Sequence, residues 1–162
     1  RAAKHVTAWS ITGAVAAKNK RKTWTASLNW KQQGPSRYQI RLFGPLGGGS
    51  VLVEKKGSRI SYHDGSKHIT TTDIDQLFYK ETGVRIPLHH LYYWVRGVQA
   101  PGAVTSSQHD AEGYLTTLTQ AGYTVQYENY QSIQGVMLPT KLRVSGPGGS
   151  LKLVIKQWKI HK

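Results

Sequence analysis

Two histidine-bearing segments contain the residue types that could act in catalysis or metal binding. His63, Asp64 and Ser66 stand close together, and a histidine, an aspartate and a serine are the components of a hydrolytic triad. Here they form the segment His-Asp-Gly-Ser, in which Asp and Gly are typical turn residues, and the chain lacks a G-x-S-x-G motif. The segment therefore indicates a turn rather than a nucleophile with its base.

The second pair, His89 and His90, lies in a stretch with the apolar spacing of a helix. Adjacent helical side chains point about 100° apart, so these imidazoles cannot hold one metal ion together, and no H-E-x-x-H motif accompanies them. The eight acidic residues are scattered, and the glycine clusters lack the Lys-Ser/Thr end of a phosphate-binding loop. We predict a protein that is not an enzyme and has no metal site or cofactor.

An apolar residue in a glycine-rich segment suggests a different kind of chemistry. The segment Gly44-Pro45-Leu46-Gly47-Gly48-Gly49 stands between two stretches that alternate like strands, which predicts a loop. Because loops run over the protein surface, Leu46 could enter a membrane or the pocket of a partner. The alternative is that Leu46 folds back and closes one end of the core.

The stretches around this loop belong to a series of predicted strands. Apolar and polar residues alternate over 9–17, 24–30 and 37–42, which is the pattern of antiparallel strands with one buried face. Along 151–160 the apolar phase shifts, which predicts a β-bulge or a crossover between faces. Further strands are predicted at 51–53, 60–62, 113–119, 123–127 and 138–144.

Two short helices interrupt the strands. Ile74, Leu77 and Phe78 recur at helical spacing, with Thr72 as a capping-box-like start and Gly83 as a stop. Residues 87–97, which begin with proline and end with glycine, have the same spacing. The combination predicts one domain, residues 1–162, in which helices pack on one face or end of an antiparallel sheet.

The inward-facing residues of these elements could fill a core or line a cavity. A packed core is the plainer interpretation, but a curved sheet covered by helices can also enclose a hydrophobic cavity for a long apolar ligand. The residues expected to line such a cavity or its helical cover are Trp24, Leu28, Trp30, Ile40, Leu42, Leu77, Phe78, Leu91, Tyr92 and Trp94.

Positive charge dominates the composition. The 22 Lys and Arg against 8 Asp and Glu give a formal net charge of +14, which favours nucleic acid, anionic lipid or an acidic protein as partner. The cations concentrate in 1–59 and 141–162, so pairing of these two ends in one sheet would produce a continuous basic surface. Its expected contact residues are Arg37, Arg41, Lys152 and Lys156.

Short motifs follow one another along nearly the whole chain. They are Gly13-Ala14, Trp30-Lys31-Gln32 with Arg37-Tyr38, Gly44-Pro45-Leu46-Gly47, Thr82-Gly83-Val84-Arg85-Ile86-Pro87-Leu88, Leu91, Trp94-Val95-Arg96-Gly97, Gly122-Tyr123-Thr124-Val125, Leu138-Pro139, Leu151-Lys152-Leu153 and Trp158. This ordered set resembles the LolB family, the outer-membrane lipoprotein receptors of the bacterial lipoprotein-sorting pathway.

The resemblance implies a mainly β fold, an incomplete antiparallel β-barrel of about eleven strands with a helical lid over a hydrophobic cavity. It also implies a monomer that takes acylated lipoproteins from a periplasmic, LolA-like carrier and inserts them into outer-membrane lipid. Pro45, Leu46 and Gly47 match the family's membrane-insertion loop. The family is anchored at the periplasmic face through an acylated N-terminal Cys. This chain has no cysteine and would be a soluble truncation.

Two other functions remain open at this point. A basic β-domain could bind nucleic acid, but its aromatic residues should then share the exposed face with Lys and Arg. Trp24 and Trp30 instead oppose a polar face, which favours their burial, so nucleic acid is not the expected partner. The protein could also carry free lipid, which would need the same cavity.

Overall fold

The structure, a computed structural model, describes residues 2–44, 49–65, 67–85 and 87–161, apart from the side chain of Thr82. A 3₁₀ turn, Ala2–His5, precedes the first strand. The strands are β1 Ala8–Lys18, β2 Thr23–Gln33, β3 Arg37–Phe43, β4 Ser50–Lys56, β5 Arg59–His63, β6 His68–Thr71, β7 Val104–His109, β8 Leu115–Gln120, β9 Tyr123–Ile133, β10 Val136–Gly146 and β11 Gly149–Ile160. The helices are α1 Ile74–Thr82 and α2 Leu88–Trp94.

The eleven strands form one antiparallel sheet in the order β6-β5-β4-β3-β2-β1-β11-β10-β9-β8-β7. The first and last strands of the chain are neighbours at its centre, so the two basic ends pair in one sheet. Strands β6 and β7 are the edges, and the sheet does not close within the described residues. Along the chain, both helices lie in the segment between the edge strands β6 and β7. The unclosed sheet confirms the predicted incomplete barrel.

Strand β2 shows how the sequence positions the interior. Exposed and buried side chains alternate along its whole length, and Trp24, Ala26, Leu28 and Trp30 all face inward. A strand with period-two patterning can bury only one face, so this face must lie toward the core. The same phase continues on the neighbouring strands through the pairs Trp30–Ile40 and Leu28–Leu42.

The apolar phase shift in the last strand is a β-bulge. The pairing of β1 with β11 slips between Thr12 and Gly13, where Gln157 and Ile155 are the successive partners. A Cβ atom on Gly13 would overlap the carbonyl oxygen of Val154, so only glycine permits the two strands to approach here. Inward-facing residues therefore continue on both sides of the bulge.

Helix α1 begins one residue later than the sequence interpretation placed it. Its N-cap is Asp73 rather than Thr72, and Oδ1 of Asp73 accepts a hydrogen bond from the backbone N–H of Gln76 at 3.1 Å. An aspartate carboxylate caps well because it also interacts favourably with the positive end of the helix dipole. The helix ends as predicted at Gly83, which has a φ of 80°.

Helix α2 is shorter than predicted and ends at Trp94 rather than Gly97. The backbone N–H groups of Arg96 and Gly97 bond to the carbonyls of Tyr93 and Trp94, three residues back. This tighter pattern replaces the α-helical ladder and carries the chain into the linker before β7. Neither helix in the described part of the chain is long and apolar enough to cross a membrane.

Candidate functional site

A small apolar cavity lies between the inner face of the sheet and the two helices. Its volume is about 40 Å³, and every side chain around it is apolar. Strands β1 to β4 and β11 form one side, and α1 and α2 form the other. The lining residues are Val15, Trp24, Leu28, Trp30, Ile40, Leu42, Val53, Phe78, Leu88, Leu91, Leu151 and Leu153.

The structure brings most of the predicted cavity residues together. Trp24, Leu28, Trp30, Ile40, Leu42, Phe78 and Leu91 surround the cavity. Leu77 is buried in the core on α1 but does not line it. Five lining residues were not named as site residues. The inward phase of the strands could have identified Val15, Val53, Leu151 and Leu153, and the helical spacing of α2 could have identified Leu88.

Tyr92 and Trp94 lie away from this cavity. The ring of Tyr92 is stacked at 6.4 Å on that of Trp9, and the guanidinium of Arg96 lies 4.3 Å from the centre of the Tyr92 ring. Trp94 is completely buried, and its indole N–H donates to Oε1 of Gln120 at 2.9 Å. Both side chains therefore attach α2 to the sheet.

A second recess of about 50 Å³ adjoins the first. It shares Trp30, Ile40 and Leu88 with the cavity and continues toward Pro35 and Tyr38. Leu88, at the start of α2, therefore contacts both spaces. The apolar cavity has room for one or two water-sized groups, which is far less than the volume of an acyl chain. An acyl chain could therefore enter only if the two helices moved.

The end of α2 is held to the sheet by buried hydrogen bonds. The hydroxyl of Tyr127 donates to the carbonyl oxygen of Trp94 at 2.6 Å. Burial raises the pKa of Tyr127 well above its usual value, so the hydroxyl stays protonated and can donate. Gln120, besides accepting from Trp94, exchanges two hydrogen bonds with the backbone of Ala100, at 2.9 and 2.7 Å.

Arg96 attaches the same region to the start of the chain. Its side chain is 2% exposed, and its Nη1 donates to the carbonyl oxygens of Val6 at 2.8 Å and Ala3 at 3.2 Å. Its Nε donates to the carbonyl oxygen of Tyr92 at 3.0 Å. A buried guanidinium with several carbonyl partners satisfies its own donors and the ends of both segments.

Helix α1 has fewer buried polar attachments. Glu81 forms an ion pair of 3.0 Å with Lys67, whose side chain is 54% exposed. Gly83 accepts a hydrogen bond from the side-chain amide of Asn19, and Asp75 accepts one from the backbone N–H of Leu88. Exposed ion pairs contribute about 0–1 kcal/mol, so α1 is held mainly by its apolar contacts with the sheet.

Comparison with known proteins identifies the family. The family model described as "Outer membrane lipoprotein LolB" matches residues 7–158. The chain is 31% identical to the outer-membrane lipoprotein LolB of Coxiella burnetii strain RSA 493 over 154 residues, which covers 94% of this chain and 72% of that protein.

The chain belongs to the LolB family. The resemblance found in its sequence motifs is thereby confirmed. The chain is also 33% identical to LolB of Pseudomonas aeruginosa strain PAO1 over 152 residues, which covers 93% of this chain and 74% of that protein. A LolA-superfamily protein from Nitrosomonas europaea has the same fold, with a TM-score of 0.61 at 11% identity over 97% of this chain and 87% of that one.

The predicted insertion loop of this LolB-family chain, Pro45, Leu46 and Gly47, lies outside the described residues. Its flanks are described. The backbone N–H of Gly44 bonds to the carbonyl oxygen of Gly49 at 2.8 Å, which closes the base of the turn between β3 and β4. The role of the loop stays a prediction.

The predicted basic contact residues lie on the outer face of the LolB-family sheet. Arg37 and Arg41 are on β3, whereas Lys152 and Lys156 are on β11, with β2 and β1 between them. Arg37 and Lys156 are exposed, and the other two are half-buried. They form two groups rather than one cluster, and their contact role stays a prediction.

The described residues of the two histidine segments are not arranged as a catalytic or metal centre. Oδ1 of Asp64 accepts the backbone N–H of Lys67 at 3.0 Å, which is the predicted turn, and Ser66 lies outside the described residues. The rings of His63 and His68 stack at 4.0 Å. Within the described ranges, no three His, Asp or Glu side chains are grouped as a metal site would require.

Proposed function

We propose that this chain receives the acyl chains of lipoproteins in its apolar interior and releases the lipoproteins into the outer membrane. Its LolB membership and LolA-superfamily fold support a lipoprotein-sorting role. The transfer is non-catalytic, because the cargo moves between apolar environments and no covalent bond changes. The donor in this proposal is a periplasmic, LolA-like carrier, and the site of action is the periplasmic face of the outer membrane.

The observation that carries the proposal is the apolar cavity beneath the helices. Each CH₂ group that leaves water for an apolar site yields about 0.8 kcal/mol, so several exposed acyl chains in water would be very unfavourable. Direct transfer from the carrier's cavity to this one avoids that state. The direction then depends on which cavity binds the acyl chains more tightly.

We assign the opening of the helical cover to α1 and to the segment that joins α1 to α2. The C-terminal end of α2 is fixed by Tyr127 and Gln120, whereas α1 contributes Phe78 to the cavity and has mainly apolar contacts. Movement of α1 together with Leu88 would join the cavity to the adjoining recess. The fixed end of α2 would act as the pivot.

Delivery is assigned to the turn between β3 and β4. Leu46 would enter the bilayer, while Arg37, Arg41, Lys152 and Lys156 on the outer face would contact an acidic carrier or anionic headgroups. The chain is expected to act as a monomer at the outer membrane.

Leu28→Phe tests the cavity because the larger ring would occupy the space that an acyl chain must enter. Leu52→Phe is the matched control, since Leu52 pairs with Arg41 on the outer face of the sheet. An environment-sensitive fluorescent fatty acid is first bound, and its displacement by a triacylated lipopeptide is measured for both variants and the parent chain. Circular dichroism verifies that both variants fold.

The proposal expects the lipopeptide to bind the parent chain and Leu52→Phe equally and Leu28→Phe at least tenfold more weakly. Equal binding by all three would refute a role for the cavity. Displacement by free fatty acid but not by lipopeptide would instead favour the carrier of free lipid. Nucleic acid is disfavoured as the partner because Trp24 and Trp30 are only 4% and 3% exposed and cannot stack on bases.

A further inference from the structure

The strand directions bring three turns to one end of the molecule. Lys18, at the end of β1, pairs with Thr23 of β2 and with Ser150 of β11, so the β1–β2 and β10–β11 turns are adjacent. Phe43, at the end of β3, pairs with Ser27 of β2, which places the β3–β4 turn at this same end. We call this end of the sheet the cationic rim.

The β1–β2 turn carries the charge of the rim. Lys18, Lys20, Arg21 and Lys22 are all exposed, and the five-residue segment 18–22 contains no acid. The ion pairs formed among the described residues involve other cations, namely Lys67, Lys141 and Arg143. The four rim cations therefore face solvent without a carboxylate partner in the part of the chain that the structure describes.

The turn holds these cations in a fixed arrangement. Oδ1 of Asn19 accepts the backbone N–H groups of Arg21 at 2.8 Å and Lys22 at 2.6 Å, and the backbone N–H of Asn19 donates to the carbonyl oxygen of Lys22 at 2.9 Å. An asparagine that closes its own turn in this way makes the backbone rigid. The charged side chains project from a preformed turn and not from a flexible tail.

A groove of about 650 Å³ separates this turn from the β10–β11 turn. Lys18, Lys20 and Arg21 line one wall, and residues 145–150 line the other. Gly149 has a φ of 133°, and a Cβ there would lie 2.6 Å from the carbonyl oxygen of Lys18, so the two turns pack closely at the base of the groove. The groove is open to solvent above them.

Exposed apolar side chains accompany the charge. Phe43 and Tyr79, at 42% and 37% exposure, are the large hydrophobic residues that stand exposed in the described ranges. Tyr79 lines the groove, and Phe43 enters the β3–β4 turn at the rim. The guanidinium of Arg85 lies 4.2 Å from the centre of the Tyr79 ring. Aromatic rings beside Lys and Arg are typical of surfaces that contact the interface of a bilayer.

We propose that the cationic rim binds the surface of an anionic bilayer. The cations contact lipid phosphates, and Phe43 and Tyr79 lie at the level of the headgroups. A second class of polyanion, nucleic acid, stacks its successive bases on several ring faces, but Arg85 covers one face of Tyr79, which leaves Phe43 as the other exposed ring among the described residues. The site extends the proposed function with a surface outside both the cavity and the outer-face residues, and it requires no cargo.

The test uses the cargo-free chain and vesicle co-sedimentation at about 0.1 M salt, where charges more than about 10 Å apart are largely screened. The vesicles contain phosphatidylcholine either alone or mixed with phosphatidylglycerol. The rim variant is Lys20→Gln/Arg21→Gln/Lys22→Gln. The matched control is Lys31→Gln/Lys56→Gln/Arg59→Gln, which removes three exposed cations near the opposite end of the sheet.

The parent chain is expected to bind the anionic vesicles and not the neutral ones. Each cation near an anionic surface contributes about fivefold in affinity, so the rim variant should bind on the order of a hundredfold more weakly. The control should change less than fivefold. The single variant Phe43→Ser, which leaves all charges in place, should bind several-fold more weakly as well.

Equal losses in the two triple variants would overturn the proposal, because they would mean attraction by net charge alone. Equal binding to neutral vesicles would overturn it as well. So would an oligonucleotide that competes at lower concentration than the vesicles and depends on the same rim residues. Lipopeptide binding in solution should be unchanged in the rim variant, so failure of the rim and failure of the cavity give different results.

Discussion

The hydroxyl of Tyr127 on β9 donates a hydrogen bond of 2.6 Å to the carbonyl oxygen of Trp94, the last residue of α2. The contact is buried and ties the end of the helix directly to the sheet. With Gln120 bound to the Trp94 indole, it holds the end of α2 by buried hydrogen bonds, whereas the hydrogen bonds of α1 and its cap among the described residues are partly or fully exposed. The two helices above the cavity are therefore expected to differ in mobility.

Tyr127→Phe removes this hydrogen bond and leaves the buried Trp94 carbonyl with the backbone N–H of Gly97 as its donor. The free energy of unfolding should fall by about 0.5–1.5 kcal/mol, the usual net contribution of one hydrogen bond. Chemical denaturation in urea measures the change. Tyr114→Phe is the control, because the hydroxyl of this half-buried residue forms no hydrogen bond with the described residues and the ring contact with Tyr130 is kept, and it should lie within about 0.5 kcal/mol of the parent chain. An equal decrease in the free energy of unfolding in both variants would contradict the view that the Tyr127 hydrogen bond holds the end of α2.

Native-state hydrogen exchange should show the difference between the helices. Backbone amides of α1, residues 74–82, should exchange by local opening at a lower free energy than those near the C-terminal end of α2. Lys67→Ala, which removes the ion pair with Glu81, should speed exchange in α1 and leave α2 unchanged. If the amides of both helices exchanged together at the same free energy, the proposal that α1 opens while the end of α2 stays fixed would be contradicted.

The sequence predicted the strands that have one buried face and missed those that do not. Strand β2 alternates over its whole length and was identified from its period. Strand β7 is missed because five of its six residues are exposed, so no alternation marks it. Strand β6 is only four residues long and has no fully buried residue. Pairing with a neighbour holds these edge strands, and a single sequence does not display that pairing.

The same limit applies to the candidate site. Helical spacing correctly predicts that Leu91, Tyr92 and Trp94 are buried, but it does not reveal what each of them contacts. Leu91 lines the cavity, whereas the other two attach α2 to the sheet. Their contacts depend on tertiary packing with β1 and β8, which lie far from α2 in the chain.

His90 should make stability depend on pH. Burial lowers the pKa of His90 from its usual 6.5, His89 lowers it further and Asp75 opposes the shift. Its Nδ1 is buried without a hydrogen-bond partner among the described residues. Above pH 6.5 both folded and unfolded chains are neutral at this residue. As the pH falls below that value, the unfolded chain takes up the proton first, so the free energy of unfolding decreases.

Urea denaturation at about pH 7.5 and about pH 5.5 measures this contribution. His90→Gln should lose less stability between the two pH values than the parent chain does. His89→Gln is the matched control, since His89 is exposed, and it should retain most of the dependence. A pH dependence that is unchanged in His90→Gln would show that another group titrates.

Leu46→Glu separates uptake from delivery. The substitution places a charge at the tip of the predicted insertion loop and should leave lipopeptide binding in solution unchanged. Release of the lipopeptide into liposomes should become at least tenfold slower, because a carboxylate enters the apolar part of a bilayer poorly. Ser50→Glu, at the start of β4, adds the same charge beside the turn and serves as control. Delivery by Leu46→Glu at the parent rate would contradict a membrane role for Leu46.

The central claim is that acyl chains enter the space beside Trp24 and Trp30. The chain has five tryptophans, and each indole N–H gives its own NMR signal in a ¹⁵N-labelled sample. A lipopeptide with a nitroxide on one acyl chain should broaden the signals of Trp24 and Trp30 most strongly. Trp94, whose indole is bonded to Gln120 away from the cavity, should keep its signal. Uniform broadening of all five signals, or none at Trp24 and Trp30 when the lipopeptide is bound, would contradict the account.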